Sequence, residues 1–299
     1  MTTYHPDHRK GLLLTAIGGL TLSFDVPLVR LASGDQWTVL LLRSSATLAV
    51  ALLVWLLWRW LRGDAPRLVP GRHGIAVALL YGLSSVAFVA GVFHTSTANL
   101  VFILAFAPMF AALLGWLFRG ERPSRATLAA MALMVLGVLI IVGDSIGTGN
   151  LFGDLMALAS ALMIASAITI TRISGDDMGF TALVAVVVPL ALAVVMTGKT
   201  GFQADAPWWI VFNGAVIMPV AFFCLATGPK YLSGPEVAMF YLLETVLAPI
   251  WVWMIFSETP TRNSLIGGAI LIAALLAHSL WQLTNSRRRS AAEELRHPA

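Results

Sequence analysis

Glu244 lies about eleven residues into an apolar stretch covering 234–256. A helix rising roughly 1.5 Å per residue carries it close to the middle of that stretch. Ionisable groups in hydrocarbon are costly and persist where they face a cavity or a partner. The Glu244 carboxylate can pair with a substrate ammonium, or, withdrawn from water, the carboxyl can hold and release a proton. A third role is structural, a hydrogen-bonded glutamate securing the turn ahead of Pro249. Tyr241 sits one turn before it, and Trp251 about two turns after it.

Asp25 and Arg43 form a second group, at similar depth in the first two apolar stretches. Each would be expensive alone, so they are expected to form a buried ion pair, acting as a structural clamp or as a gate. Pro27 stands beside the pair, and proline opens a helix backbone. Pro27, Pro108 and Pro249 are the candidate hinges, and Pro189 and Pro219 are further candidate kinks. Tyr81, Phe102, Asn99 and Met163 join Tyr241, Glu244 and Trp251 as candidate lining of a mostly apolar pocket with few polar anchors. His94 reads as a solvated cap, and His278 as a hydrogen-bonding partner for a neighbouring helix. Neither has a second ligand at metal spacing, and Cys224 is the single cysteine, so no metal, cofactor or disulfide is expected. No Gly-x-x-x-x-Gly-Lys-Ser/Thr loop occurs, which excludes ATP hydrolysis by that route.

The elements that position these residues follow from composition. Apolar residues make up 58% and charged residues 11% of the 299, far from the balance of a soluble domain. A membrane-spanning helix needs about 20 apolar residues for ~30 Å of hydrocarbon. Spans are predicted near 11–31, 36–58, 73–94, 96–118, 125–143, 151–171, 179–198, 207–228, 234–256 and 264–283. Lys and Arg fall overwhelmingly into one set of connections, which include Arg59, Arg62, Arg67, Arg72, Arg119, Arg122, Arg125, Arg172 and Lys230. The other set holds Lys199 and Arg262. The positive-inside rule puts both termini in the cytoplasm. Residues 285–299 read as a polar, basic tail with too little apolar content to fold alone. Alanines at 157, 161 and 165, and at 269, 273 and 277, make two small-residue stripes expected to be helix-packing seams.

An offset of 137 residues brings Ala111 onto Ala248, Trp116 onto Trp253, Glu121 onto Glu258, Pro123 onto Pro260, Arg125 onto Arg262 and Leu128 onto Leu265. The shared element is an apolar helix, a Glu-x-Pro-x-Arg turn and another apolar helix. The units are therefore 1–143 and 144–284, each of five spans. An odd number of spans requires the copies to insert with opposite orientation, as in many secondary transporters.

At these residues the chain resembles the drug/metabolite transporter superfamily, and within it the ten-helix EamA-type exporters. The matching stretches run from Ala107-Pro108 through Gly115-Trp116 to Pro123, from Gly153-Asp154-Leu155 to Thr171-Arg172, and from Leu243-Glu244-Thr245 through Pro249 to Glu258. Arg43 resembles an arginine common early in that family's second span. Thr245 departs from the pattern, since relatives often carry proline after the glutamate. The resemblance implies an all-helical membrane protein of the bacterial inner membrane that exports small metabolites by alternating access. Its nearest likeness is to bacterial amino-acid exporters, including those for aromatic amino acids. Amino acids and the lipid bilayer are the expected partners, nucleic acid is not, and the chain is expected to act as a monomer. Cationic, guanidinium-like or drug-like compounds are the alternative substrates, with Glu244 as counter-charge. A lipid-modifying intramembrane enzyme is a distant alternative, since the scattered histidines offer it no His/Asp/Glu cluster.

Overall fold

The computed structural model describes residues 8–296 apart from 64, 66, 176–177, 228–230 and 233, so Lys230 lies outside the described residues. It has ten helices long and apolar enough to cross a membrane: His8–Leu31, Gln36–Arg62, Gly71–His94, Thr97–Arg119, Arg125–Gly147, Leu151–Ser174, Gly179–Thr200, Pro207–Leu225, Met239–Phe256 and Arg262–Asn285. These are spans one to ten, close to the predicted ones. The helix of span ten continues to Arg296. The described part of the polar segment after Asn285 thus continues that helix.

Four spans are interrupted, and each interruption lies shortly before a proline. Span one divides into His8–Leu22 and Asp25–Leu31 ahead of Pro27, and span four into Thr97–Leu104 and Ala107–Arg119 around Pro108. Span seven divides into Gly179–Val184 and Val187–Thr200 ahead of Pro189. Span eight carries a π turn, Asn213–Ile217, ahead of Pro219. Proline has no N–H for the carbonyl four residues back and its ring crowds that carbonyl, so the ladder loosens there. Pro249 differs: span nine lies within one continuous helix, Gly234–Phe256, and the hinge expected there has no backbone break.

The offset of 137 recurs in local geometry. Ser124 Oγ accepts the Thr127 N–H at 3.1 Å, and Thr261 Oγ1 accepts the Ser264 N–H at 3.1 Å. Both are side-chain caps of the kind that satisfies a free N–H at a helix start. Gly120 (φ 67°) follows the end of span four and Ser257 (φ 55°) follows the end of span nine, both left-handed. Gly153 packs so tightly on His94 and Thr95 that a side chain would collide with their backbone, and Gly11 packs closely on the side chains of Tyr231 and Leu232. Spans three and six pack together, as do one and eight, two and seven, four and nine, and five and ten. Exchanging the halves turns the first of these pairs into the second and each of the other three into itself.

Ala157, Ala161 and Ala165 are fully buried, and the expected seam is there: Ser160 Oγ donates to the Ser84 carbonyl of span three at 3.0 Å. The second stripe is a correction. Ala269, Ala273 and Ala277 are exposed, and span ten instead presents Gly267, Leu271, Ala274 and His278 to its neighbours. A Cβ at Gly267 would come within 2.6 Å of the Gly137 carbonyl oxygen, so glycine against glycine sets the phase of that contact.

Candidate functional site

Span two holds Arg43 and the lower part of span one holds Asp25, both buried. Arg43 Nη2 donates to Asp25 Oδ2 at 2.8 Å, which is the expected ion pair. Asn213 Nδ2 donates to the other oxygen, Asp25 Oδ1, also at 2.8 Å. The guanidinium lies 5.1 Å from the Phe88 ring centroid, and Nη2 is 3.1 Å from Met218 Sδ. The π turn carries Asn213, and its neighbour Gly214 lets span eight approach span two: Thr47 Oγ1 donates to the Gly214 carbonyl at 2.9 Å. Glu244 lies close enough to interact electrostatically with both Asp25 and Arg43, and Tyr241 with Glu244 and Tyr81. Asp25 is the carboxylate bonded to that guanidinium.

A cavity of about 1560 Å³ opens on the arginine-rich face, where Trp58, Arg62 and Arg67 line it, and runs inward between spans two, six, seven and eight. Its deeper lining includes Tyr81 and Tyr241, one from each half. Glu244, one turn beyond Tyr241, does not itself line the cavity. The remaining predicted pocket residues stand elsewhere. Met163 is half-buried on span six, away from the cavity. Phe102 fills the space over Gly268 and borders a separate cleft of about 240 Å³ with Thr245 and Pro249. Trp251 stacks on Phe24 (5.2 Å) and donates from Nε1 to Ser23 Oγ at 3.0 Å, which fastens the break in span one to span nine.

Asn99 belongs to a sealed polar knot. Asp154, fully buried, accepts from Thr95 Oγ1 and Ser145 Oγ, each at 2.5 Å, and more weakly from Asn99 Nδ2 at 3.4 Å. Asn99 Nδ2 also donates to Ser145 Oγ at 3.0 Å, and its Oδ1 accepts from Ser264 Oγ. Those partners account for the buried polar groups, so the knot joins spans four, five, six and ten rather than facing a ligand. His278 bonds Thr127 of span five at 3.0 Å, as expected of it, and His94 bonds its own helix at Ala90. Among the described residues there is no group of His, Cys, Asp and Glu suited to a metal ion.

On the opposite face the molecule is shut. Arg30 Nη1 meets Glu258 Oε2 at 2.6 Å, and Nη2 reaches the carbonyls of Thr95 (2.9 Å) and Val92 (3.3 Å). Glu258 Oε1 accepts the Thr97 N–H at 2.8 Å. Beside this cluster the connections 32–35 and 203–206 pair through backbone bonds, including Asp35 N–H to the Gln203 carbonyl at 3.0 Å. The profile of the EamA-like transporter family matches the chain twice, over residues 9–143 and 151–280.

This chain belongs to the EamA-like transporter family.

Relatives agree with that membership. The pseudopaline exporter CntI of Pseudomonas aeruginosa is 22% identical over 281 residues, covering 91% of this chain and 96% of its own length. An uncharacterized transporter of Archaeoglobus fulgidus is 26% identical over 216 residues, covering 69% and 76%. A crystallised protein of 16% identity superposes with a TM-score of 0.63 over 91% of this chain and 97% of that one, which shows the shared fold. The EamA-like chain is thus a multi-pass membrane transporter.

Two features of the site escaped the sequence reading. Asn213 had a signal, because it is the sole amide in the apolar run from Trp208 to Leu225. Arg30–Glu258 had half of one, since the repeat singled out Glu258 but left its partner unassigned.

Proposed function

We propose that this chain is a secondary transporter of the bacterial inner membrane that exports small metabolites, with amino acids as the substrate class. It works as a monomer by alternating access, with its arginine-rich face in the cytoplasm. The observation that carries this reading is the cavity: it opens on the arginine-rich face, ends near Tyr81 and Tyr241 beside Glu244, and is closed off from the other side by Arg30–Glu258. A mostly apolar space with a few polar groups along its wall suits an amphipathic solute such as an amino acid. Tyr81 and Tyr241 line it, with Glu244 one turn beyond Tyr241. The exporter name of the Pseudomonas aeruginosa relative supports the outward direction.

A second reading has its own observation. Asp25 already takes Arg43, so Glu244 has no cation to itself among the described residues. A cationic or guanidinium-like compound would supply that charge. The test is purified protein in liposomes, with labelled amino acids and labelled organic cations, each with and without a proton gradient. Flux of amino acids supports the first reading, flux of cations alone supports the second, and no flux of either sinks both.

A further inference from the structure

The closed face has a counterpart on the open one. An offset of 142 carries Gly11 to Gly153 and Arg30 to Arg172, and one of 137 carries Glu121 to Glu258, Thr95 to Leu232 and Thr97 to Gly234. Arg30 from the first half meets Glu258 from the second. Arg172 from the second half meets Glu121 from the first, at 3.6 Å. The two pairs are built from exchanged partners and lie on opposite faces.

Their states differ. In Arg30–Glu258 the side chains are 24% and 23% exposed, and the pair also grips the connection between spans three and four through Val92, Thr95 and Thr97. In Arg172–Glu121 they are 54% and 45% exposed, and Glu121 leans on Arg119 at 3.0 Å. Thr97 is the first residue of its helix and offers Glu258 a free N–H. Gly234 is likewise the first residue of its helix, in the corresponding connection between spans eight and nine.

We propose that Arg30–Glu258 and Arg172–Glu121 are two copies of one latch, closed alternately. When the arginine-rich face shuts, Arg172 takes carbonyls near Leu232, Glu121 accepts the Gly234 N–H, and Arg30 and Glu258 release Thr95 and Thr97. A closed latch spans three helices through charge-assisted hydrogen bonds, while an open one is an exposed ion pair of small worth. Closing one copy therefore compensates for opening the other, and the two end states stay near in energy. This proposal rests on the alternating-access reading above.

The test reads cavity access rather than flux. With Cys224→Ser as background, a reporter Ala215→Cys in the cavity wall is labelled by a membrane-impermeant maleimide from the arginine-rich side. Glu258→Gln, which weakens the closed latch, lowers the labelling rate by roughly tenfold, the scale of a lost charge-assisted bond. Adding Glu121→Gln restores it. An unchanged rate in the single variant, or no restoration in the double, overturns the proposal. In a second measurement, without the reporter, the pair Gly120→Cys and Gly234→Cys crosslinks faster when Glu258→Gln is present, and equal crosslinking overturns it as well. Opposed shifts in access without amino-acid flux would refute the substrate reading and leave the latch standing. Flux without those shifts would do the reverse.

Discussion

Asn213 and Arg43 divide one carboxylate between them: each donates to a different oxygen of Asp25, at 2.8 Å. The ion pair is thereby held in a fixed orientation by three spans, one, two and eight. Two of those spans are broken by a proline close to the contact. A bond network of this kind is costly to cut on one side only.

Removing Asp25 alone strands a buried guanidinium. Asp25→Ala should destabilise the protein by about 3–5 kcal/mol, while Asp25→Asn with Arg43→Gln removes both charges and should recover most of that loss. Thermal unfolding in detergent checks this. A double variant no more stable than Asp25→Ala would deny that the pair acts as a unit.

Glu244 should separate function from folding. Glu244→Gln keeps the shape of the side chain and removes its charge, so the melting temperature should hold. Flux should fall by about tenfold or more, the loss of one charged hydrogen bond or ion pair, and its dependence on pH should flatten. Full transport with an unaltered pH profile in proteoliposomes would remove Glu244 from the mechanism.

Tyr241 and Tyr81 reach the cavity from opposite halves. Tyr241→Ala should raise KM for aromatic amino acids by roughly tenfold, the scale of a lost aromatic contact of about 1 kcal/mol or slightly more, and change it less for alanine. Equal effects on both substrates would mean that the ring does not contact the substrate.

Gly153 and Gly143 make a matched pair of glycines. A methyl at Gly153 meets the His94 backbone, whereas nothing stands within 4 Å of one at Gly143. Gly153→Ala should cost about 1–3 kcal/mol through overpacking, and Gly143→Ala should cost nothing. Thermal denaturation of the two variants side by side decides it.

The spans were legible because lipid leaves the sequence no alternative: apolar runs of that length have to be helices. The Asp25–Arg43 pair was legible for a related reason, as two opposite charges in hydrocarbon at equal depth have few other partners. Depth along a span gives no rotation about its axis, however. Phe102 packs over Gly268, Asn99 joins the Asp154 knot, and Met163 stands away from the cavity. The exposed stripe at Ala269, Ala273 and Ala277 failed for the same reason, since spacing alone does not say which face meets a neighbour. Arg30–Glu258 links residues 228 positions apart through a closed face, and a contact that depends on conformation has no signature in one chain.

The caps at Ser124 and Thr261 let one half of the chain be compared with the other. Positions that agree across the halves, such as these two and the left-handed Gly120 and Ser257, share a helix cap or a helix end. Positions that disagree record what the two copies no longer share: Glu244 stands where the first half has Ala107, and Asn99 where the second has Glu236. Two identical units facing opposite ways would be interchangeable, and the carboxyl beside the cavity is one place where these two halves are not.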